Sequence, residues 1–185
     1  MKYSAKNILI IIFTVIVVIT VSGRRSVPAQ SRTVSEYQVK AAFLYKFAQF
    51  VEWPDTAFSS NAASLNICIL GKNFFNESLN DIRDKTVRGR RLSIRTNPSI
   101  DNLDQCHVLF ISNSEKNQLS HILHRLNNTS VLTVADMEGF TSAGGMINLV
   151  MQDNKISFDI NLKSARLAAL KVSSRLLKLA STVQE

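Results

Sequence analysis

Glycine and proline are scarce in this 185-residue chain, six and three, while cysteine occurs twice, tryptophan once and histidine three times. So few glycines leave no GxGxxG, no GK[ST] phosphate loop and no GxSxG nucleophile elbow; the nearest pair, SAGG at Ser142 to Gly145, lacks that frame. HExxH and EF-hand patterns are missing too. The cysteines form no CxxC and have no clustered histidines beside them, which argues against a metal site. His121 and His124 could share a helix face, but on so polar a stretch they read as solvated. No repeat or low-complexity segment is visible. No catalytic motif, metal or cofactor is therefore read from the chain.

The N-terminus is different in kind. Lys2 and Lys6 precede an apolar run, ILIIIFTVIVVITV, from Ile8 to Val21. Its length falls short of the roughly twenty residues that cross a bilayer, so residues 1–29 read as a secretory signal. Val27-Pro28-Ala29 supplies small residues for cleavage before Gln30, whereas Arg24 and Arg25 keep an uncleaved anchor as the competing reading. Removing 1–29 deletes four basic residues and no acid, and the formal charge falls from +8 to +4. Residues 30–185 are then of a size for one domain. In an exported chain Cys68 and Cys106 can pair, closing a loop worth roughly 4 kcal/mol in the chain-entropy model; two buried free thiols are the alternative.

Periodicity predicts the elements. Thr33 with Glu36 and Ser35 with Gln38 offer capping boxes ahead of a helix, whose inward sector holds Val39, Phe43, Phe47, Phe50 and Val51. Pro54 ends that helix at Trp53. LNICIL (Leu65 to Leu70), CHVLFIS (Cys106 to Ser112) and VLTVA (Val131 to Ala135) read as buried strands, and TVRGRRLSIR as a turn at Gly89 followed by a half-exposed strand. A weaker helix is predicted around Phe75 to Asp84, and another over Glu115 to Leu126 capped by Ser114. Met146 to Gln152 and Lys155 to Ile160 read as a hairpin turning at Asp153-Asn154. Asn161 then caps a long helix, Leu162 to Ala180, with Ala165, Ala168, Ala169, Val172, Leu176 and Leu179 facing inward. Together these predict an α/β single-domain sandwich, a mixed β-sheet flanked by helices.

Within Ala41 to Phe58, six of the fourteen aromatic residues crowd into eighteen positions. The helical projection assigns Phe43, Phe47 and Phe50 to the core and leaves Tyr45, Trp53 and Phe58 as candidates for recognition, joined by Arg175 and Phe140. Gly144 and Gly145 leave room for close approach by a ligand or partner, or simply make a tight turn. Lys85, Arg88, Arg90, Arg91 and Arg95 form the densest basic patch; export removes nucleic acid as its partner, and charged gatekeepers of a solvated hairpin are the plainer account. An enzyme would need His107, Asp136 or Ser142 in a cleft beside a second polar group.

Five stretches, YQVKAAFLYKFAQFVEWP, LNICILG, CHVLFIS, GFTSAGGMINLVMQDNKISFDIN and ARLAALKVSSRLLKLA, resemble in wording and order the YfiR family of exported bacterial proteins, over Tyr37 to Ala180. That resemblance implies a homodimeric periplasmic repressor that binds the periplasmic part of a membrane-bound diguanylate cyclase and lowers cyclic di-GMP and biofilm formation. It also implies a peptidoglycan-associated outer-membrane lipoprotein that sequesters the repressor. Cys68 and Cys106 match a pair that is disulfide-bonded in the best-known member. The second pair of that member, near the segment matching Thr141 to Leu149, has no counterpart here, which puts a redox switch in that loop in doubt. The alternative function is a periplasmic small-molecule sensing domain, with the aromatic helix and Gly144-Gly145 lining a pocket.

Overall fold

The computed structural model describes residues 36–153 and 155–185. The signal or anchor segment, its cleavage point and the capping residues Thr33 and Ser35 lie outside the described residues. The expected α/β architecture is present: an eight-stranded mixed sheet and a two-stranded antiparallel one, with helices against them.

The strands are β1 (Val51–Glu52), β2 (Leu65–Leu70), β3 (Thr86–Val87), β4 (Arg90–Thr96), β5 (Val108–Ile111), β6 (Leu132–Ala135), β7 (Ile147–Gln152), β8 (Lys155–Asn161), β9 (Lys171–Val172) and β10 (Thr182–Gln184). The helices are α1 (Glu36–Phe50), α2 (Leu119–Arg125), α3 (Leu162–Leu167) and α4 (Ser174–Leu177). The large sheet runs β10-β8-β7-β6-β5-β2-β4-β3. From β4 to β7 the strands are parallel, β3 runs against β4 and β8 against β7, and β10 is parallel to β8. The chain starts at β2, moves out to β4, and returns across β2 to β5, so the winding direction reverses between β2 and β5.

Alternation explains why the central strands are apolar without interruption. Leu65, Ile67 and Ile69 of β2, with Val108 and Phe110 of β5 and Leu132 and Val134 of β6, enter one core under α1. Cys68 and Leu70, with Leu109, Ile111 and Ala135, enter a second core under α2. A parallel sheet covered on both faces has this pattern. The Cys68–Cys106 disulfide lies in the second core, with a Cα–Cα distance of 5.9 Å, and staples β2 to the chain just before β5.

The β3–β4 loop is two residues, Arg88 and Gly89, both at positive φ (51° and 78°), the type I′ arrangement that suits strand twist. β7 and β8 pair antiparallel from Ile147↔Ile160 to Gln152↔Lys155, the expected hairpin.

Five expectations need correction. Helix α1 stops at Phe50, not Trp53, because Val51 and Glu52 extend to pair with Val172 and Lys171. Its buried face is also rotated: Lys40, Ala41, Leu44, Phe47 and Ala48 are interior, whereas Val39, Phe43 and Phe50 are half-buried. The stretch Phe75 to Asp84 holds only a 3₁₀ turn, Asn76–Leu79, between left-handed Asn76 (φ 46°) and Asp84 (φ 61°), which a continuous helix does not admit. Ser114 does not cap a helix at Glu115: its hydroxyl accepts from Lys72 N–H at 2.9 Å, the chain is 3₁₀ over Asn113–Gln118, and α2 begins at Leu119.

The largest departure is the C-terminal helix. Asn161 does cap it, its side chain accepting from Ser164 N–H at 2.9 Å. It ends after Leu167 in a Schellman arrangement: Leu170 N–H reaches Ala165 C=O, Ala169 N–H reaches Arg166 C=O, each at 3.0 Å, and Ala169 takes φ 57°. The turn sends Leu170 into the core and lets Lys171 and Val172 pair with β1, while Ala169 and Leu179 face water instead of the interior. Alanine is strained at that φ and glycine is not. Ala169→Gly is expected to raise stability by roughly 0.5–1 kcal/mol in urea denaturation; a loss of stability there would show that the left-handed turn does not form.

Candidate functional site

Strands buried on both faces leave polar chemistry to their ends, and the parallel strands gather it at two places. At the amino end, His107 stands just before β5 and is 6% exposed. Its Nδ1 accepts the Asn66 backbone N–H at 3.0 Å, which fixes the neutral tautomer with the proton on Nε2; Nε2 then donates to Ala57 C=O at 3.1 Å. Phe58 stacks on the ring at 4.4 Å between centroids and 18° between planes, and the Arg90 guanidinium lies 3.6 Å from the centre of the same Phe58 ring. Trp53 sits edge-on to His107 and donates from Nε1 to its carbonyl at 3.2 Å. Trp53 and Phe58 are thus brought together and half-buried by their own domain. Burial, with Arg90 and Arg95 nearby, holds the His107 pKa below its ordinary 6.5, against the opposing bond to Ala57.

At the carboxyl end, Lys40 of α1 is 5% exposed. Its ammonium pairs with Asp136, just past β6, and with Glu36 one helical turn earlier, and rests 4.5 Å from the Tyr37 ring centre. Burial works against the charge, but the hydrogen bonds that the ammonium donates to Asp136 and Glu36 outweigh it and raise the Lys40 pKa. Around this triad lies a crevice of about 490 Å³ walled by Tyr37, Phe74, Ser112, Lys116 and Glu138. The reversal of winding between β2 and β5 places it where open α/β sheets form crevices. Sequence reasoning passed over Lys40; the Glu36–Lys40 spacing of four was its one available signal.

The remaining candidates are dispersed. Tyr45 is half-buried beneath Lys85, whose ammonium is 5.1 Å from its ring centre. Arg175 is exposed on α4. Phe140 is fully buried, and a Cβ on Gly145 would fall 2.3 Å from its ring, so the space at Gly145 is filled from within the domain. Gly144, at φ 103°, borders a separate groove of about 540 Å³ with Leu123, His124, Asn128 and Leu167. The basic patch is largely engaged: Arg88 pairs with Glu52 and Arg91 with Asp84, both at 3.0 Å, and Arg95 bonds Gln105. Arg90 donates from Nη1 to the carbonyls of Ser60, Asn61 and Ala63 at 2.9 to 3.0 Å. His107, Asp136 and Ser142 share no cleft: the first precedes β5, the second follows β6 at the opposite end of the strands, and Ser142 lies in the exposed turn ahead of β7. Among the described residues no helix is long and apolar enough to cross a membrane.

A family model described as YfiR/HmsC-like matches residues 37–181. Among solved structures, a conserved domain protein from Vibrio cholerae O1 biovar El Tor superposes with a TM-score of 0.55 at 8% identity, over 81% of this chain and 60% of its own. The ABC domain in complex with L-Trp from Streptococcus pneumonia reaches a TM-score of 0.48 at 11% identity, over 76% and 60%. At such identity the first likeness concerns the fold alone, and the chain spans about 60% of the length of either structure.

The Lys40 triad yields a double-mutant test. Removing one partner of a buried pair leaves an uncompensated charge, so Lys40→Met alone is expected to destabilise by about 3 kcal/mol, and Lys40→Met with Asp136→Leu by clearly less. Urea denaturation of the four proteins measures the coupling; strictly additive losses would show that the pair is not one unit.

Proposed function

Because the chain belongs to the YfiR/HmsC-like family, we propose that it is an exported periplasmic regulator which binds the periplasmic part of an inner-membrane diguanylate cyclase and holds it inactive. Cyclic di-GMP synthesis and biofilm formation are then restrained while the complex persists. The match across residues 37–181 carries this reading, since it spans nearly all of the described domain. Binding rather than catalysis is the mechanism. The dispersal of His107, Asp136 and Ser142 supports it, as does the buried disulfide, which suits an oxidising compartment.

A homodimer, and an outer-membrane peptidoglycan-associated lipoprotein that draws the regulator off the cyclase, complete the proposal. Tyr45, Arg175 and the groove beside Gly144 are the surfaces it offers to these partners. Trp53 and Phe58 contribute only their half-exposed edges, and Phe140 supports the Gly144 loop from below. Deleting the gene is expected to raise cyclic di-GMP and surface adhesion in cells that express the cyclase. Unchanged levels under that condition would remove the regulatory reading.

One observation favours a second reading, small-molecule sensing. The crevice around Lys40 combines a nearly buried charge, two aromatic walls and a position at the carboxyl ends of the strands. A ligand that binds only the folded state raises the melting temperature as its concentration rises. Screening amino acids, vitamins and wall fragments by thermal shift is expected to give a hit that Lys40→Met abolishes, if this reading holds. A screen without such a hit leaves protein binding alone.

A further inference from the structure

The segment from Trp53 to Ala63 leaves β1 and reaches β2 without joining either sheet. Its own backbone hydrogen bonds are local: Ala57 N–H to Pro54, Phe58 N–H to Asp55 and Ala63 N–H to Ser60. The bonds that fasten it to the sheet are side-chain bonds. His107 takes the first half, through Ala57 C=O, the Phe58 stack and the Trp53 indole on its carbonyl. Arg90 takes the second half through three carbonyls and closes over Phe58.

His107 performs its part only when neutral. Its Nδ1 lone pair is already used by the Asn66 N–H, so a proton there would set two donors against each other and break that bond. The charges that act on the ring are Arg90 and Arg95, both cationic and both from β4; Asp55, on the segment itself, is exposed and Asn66 of β2 offers only its N–H. An imidazolium at this position would be buried, deprived of an acceptor role and beside two guanidiniums, with Arg90 on the same aromatic ring.

We propose that His107 is an acid-operated catch: neutral, it holds the Trp53–Ala63 segment against the amino end of the parallel strands, and protonated on Nδ1 it releases that segment while the sheet stays folded. The sign follows from proton linkage. The released form binds a proton that the held form does not, so falling pH favours release, and the held form is fully favoured above the ordinary histidine value of 6.5. Apolar burial, the disulfide and the strand ladders do not titrate in this range, which confines the change to the segment. The catch is a property of the domain itself and stands whether or not the partner is a cyclase. It would make the exposed surface of the domain depend on external acidity, which the periplasm follows.

Trp53 is the only tryptophan of the chain and lies in the catch, so it reports the event directly. For the purified protein taken from pH 8 to pH 4.5, its emission is expected to shift to longer wavelength and its quenching by acrylamide to rise, with a midpoint below 6.5, while far-ultraviolet circular dichroism stays constant. His107→Gln, neutral throughout, is expected to lose the transition; His121→Gln with His124→Gln, both exposed positions, is expected to keep it. Emission that does not change over this range, a transition that persists in His107→Gln, or loss of circular dichroism at the same midpoint overturns the proposal. Should His107→Gln not fold, the ring protons of His107 in the double variant decide by nuclear magnetic resonance: a titration midpoint matching that of Trp53 upholds the catch, and a mismatch rejects it.

Discussion

Burial of the central parallel strands on both faces is the constraint from which the rest of the molecule follows. Every residue of β5 and β6 is interior, and the sheet divides the apolar side chains between a core beneath α1 and another beneath α2. With no water-facing side on these strands, titratable groups stand before or after them, and the one polar side chain within them, Thr133, is buried with its hydroxyl accepting from Met146 N–H. His107 and Asn66 therefore collect at the amino ends, and Ser112 and Asp136 at the carboxyl ends. The two clusters are consequences of one geometric rule applied to opposite ends of the same strands.

The clusters differ in what they tolerate. Around Lys40 the charge is matched twice over by carboxylates, so the group stays ionised despite its burial. Around His107 the neighbours are a backbone donor and two guanidiniums, and the same degree of burial keeps the ring neutral. Burial opposes the charged form at both sites; the carboxylates beside Lys40 overcome it, whereas at His107 burial prevails and the arginines reinforce it. Lys40 holds its proton more firmly than a free lysine, and His107 holds its own less firmly than a free histidine.

Strands were legible in the sequence where their apolar pattern had a single meaning. LNICIL, CHVLFIS and VLTVA could be buried strands and little else at their length, and the β7–β8 pair announced itself by two runs and a short break. Helix ends were less legible. In ARLAALKV no glycine marks the stop, because Ala169 adopts a left-handed φ that its side chain disfavours and only tertiary pairing with β1 compensates. The inward face of α1 differs from the apolar projection for a related reason: Lys40 lies on it and meets Asp136 ninety-six residues away, a pairing no local pattern records. Trp53 and Phe58 follow the end of α1, and their neighbours His107 and Arg90 come from distant parts of the chain and had to be seen in place.

The two-residue pairing of β1 with β9 joins Val51 to Val172, and β10 adds a parallel edge strand beside β8. The small sheet is thus completed by residues 171–172, across one of the longest separations among the described residues, whereas β10 pairs with the sequence-near β8. Loop closure of that span opposes the β1–β9 contact until other structure has shortened it, so this pairing is expected late in folding. A nascent chain would hold the end of α1 without its partner strand until residues 171–172 had emerged, and during that interval Val51 would be exposed to any extended segment nearby. In this way the order of synthesis is built into the fold: the strand that continues α1 waits for a partner made much later in the chain.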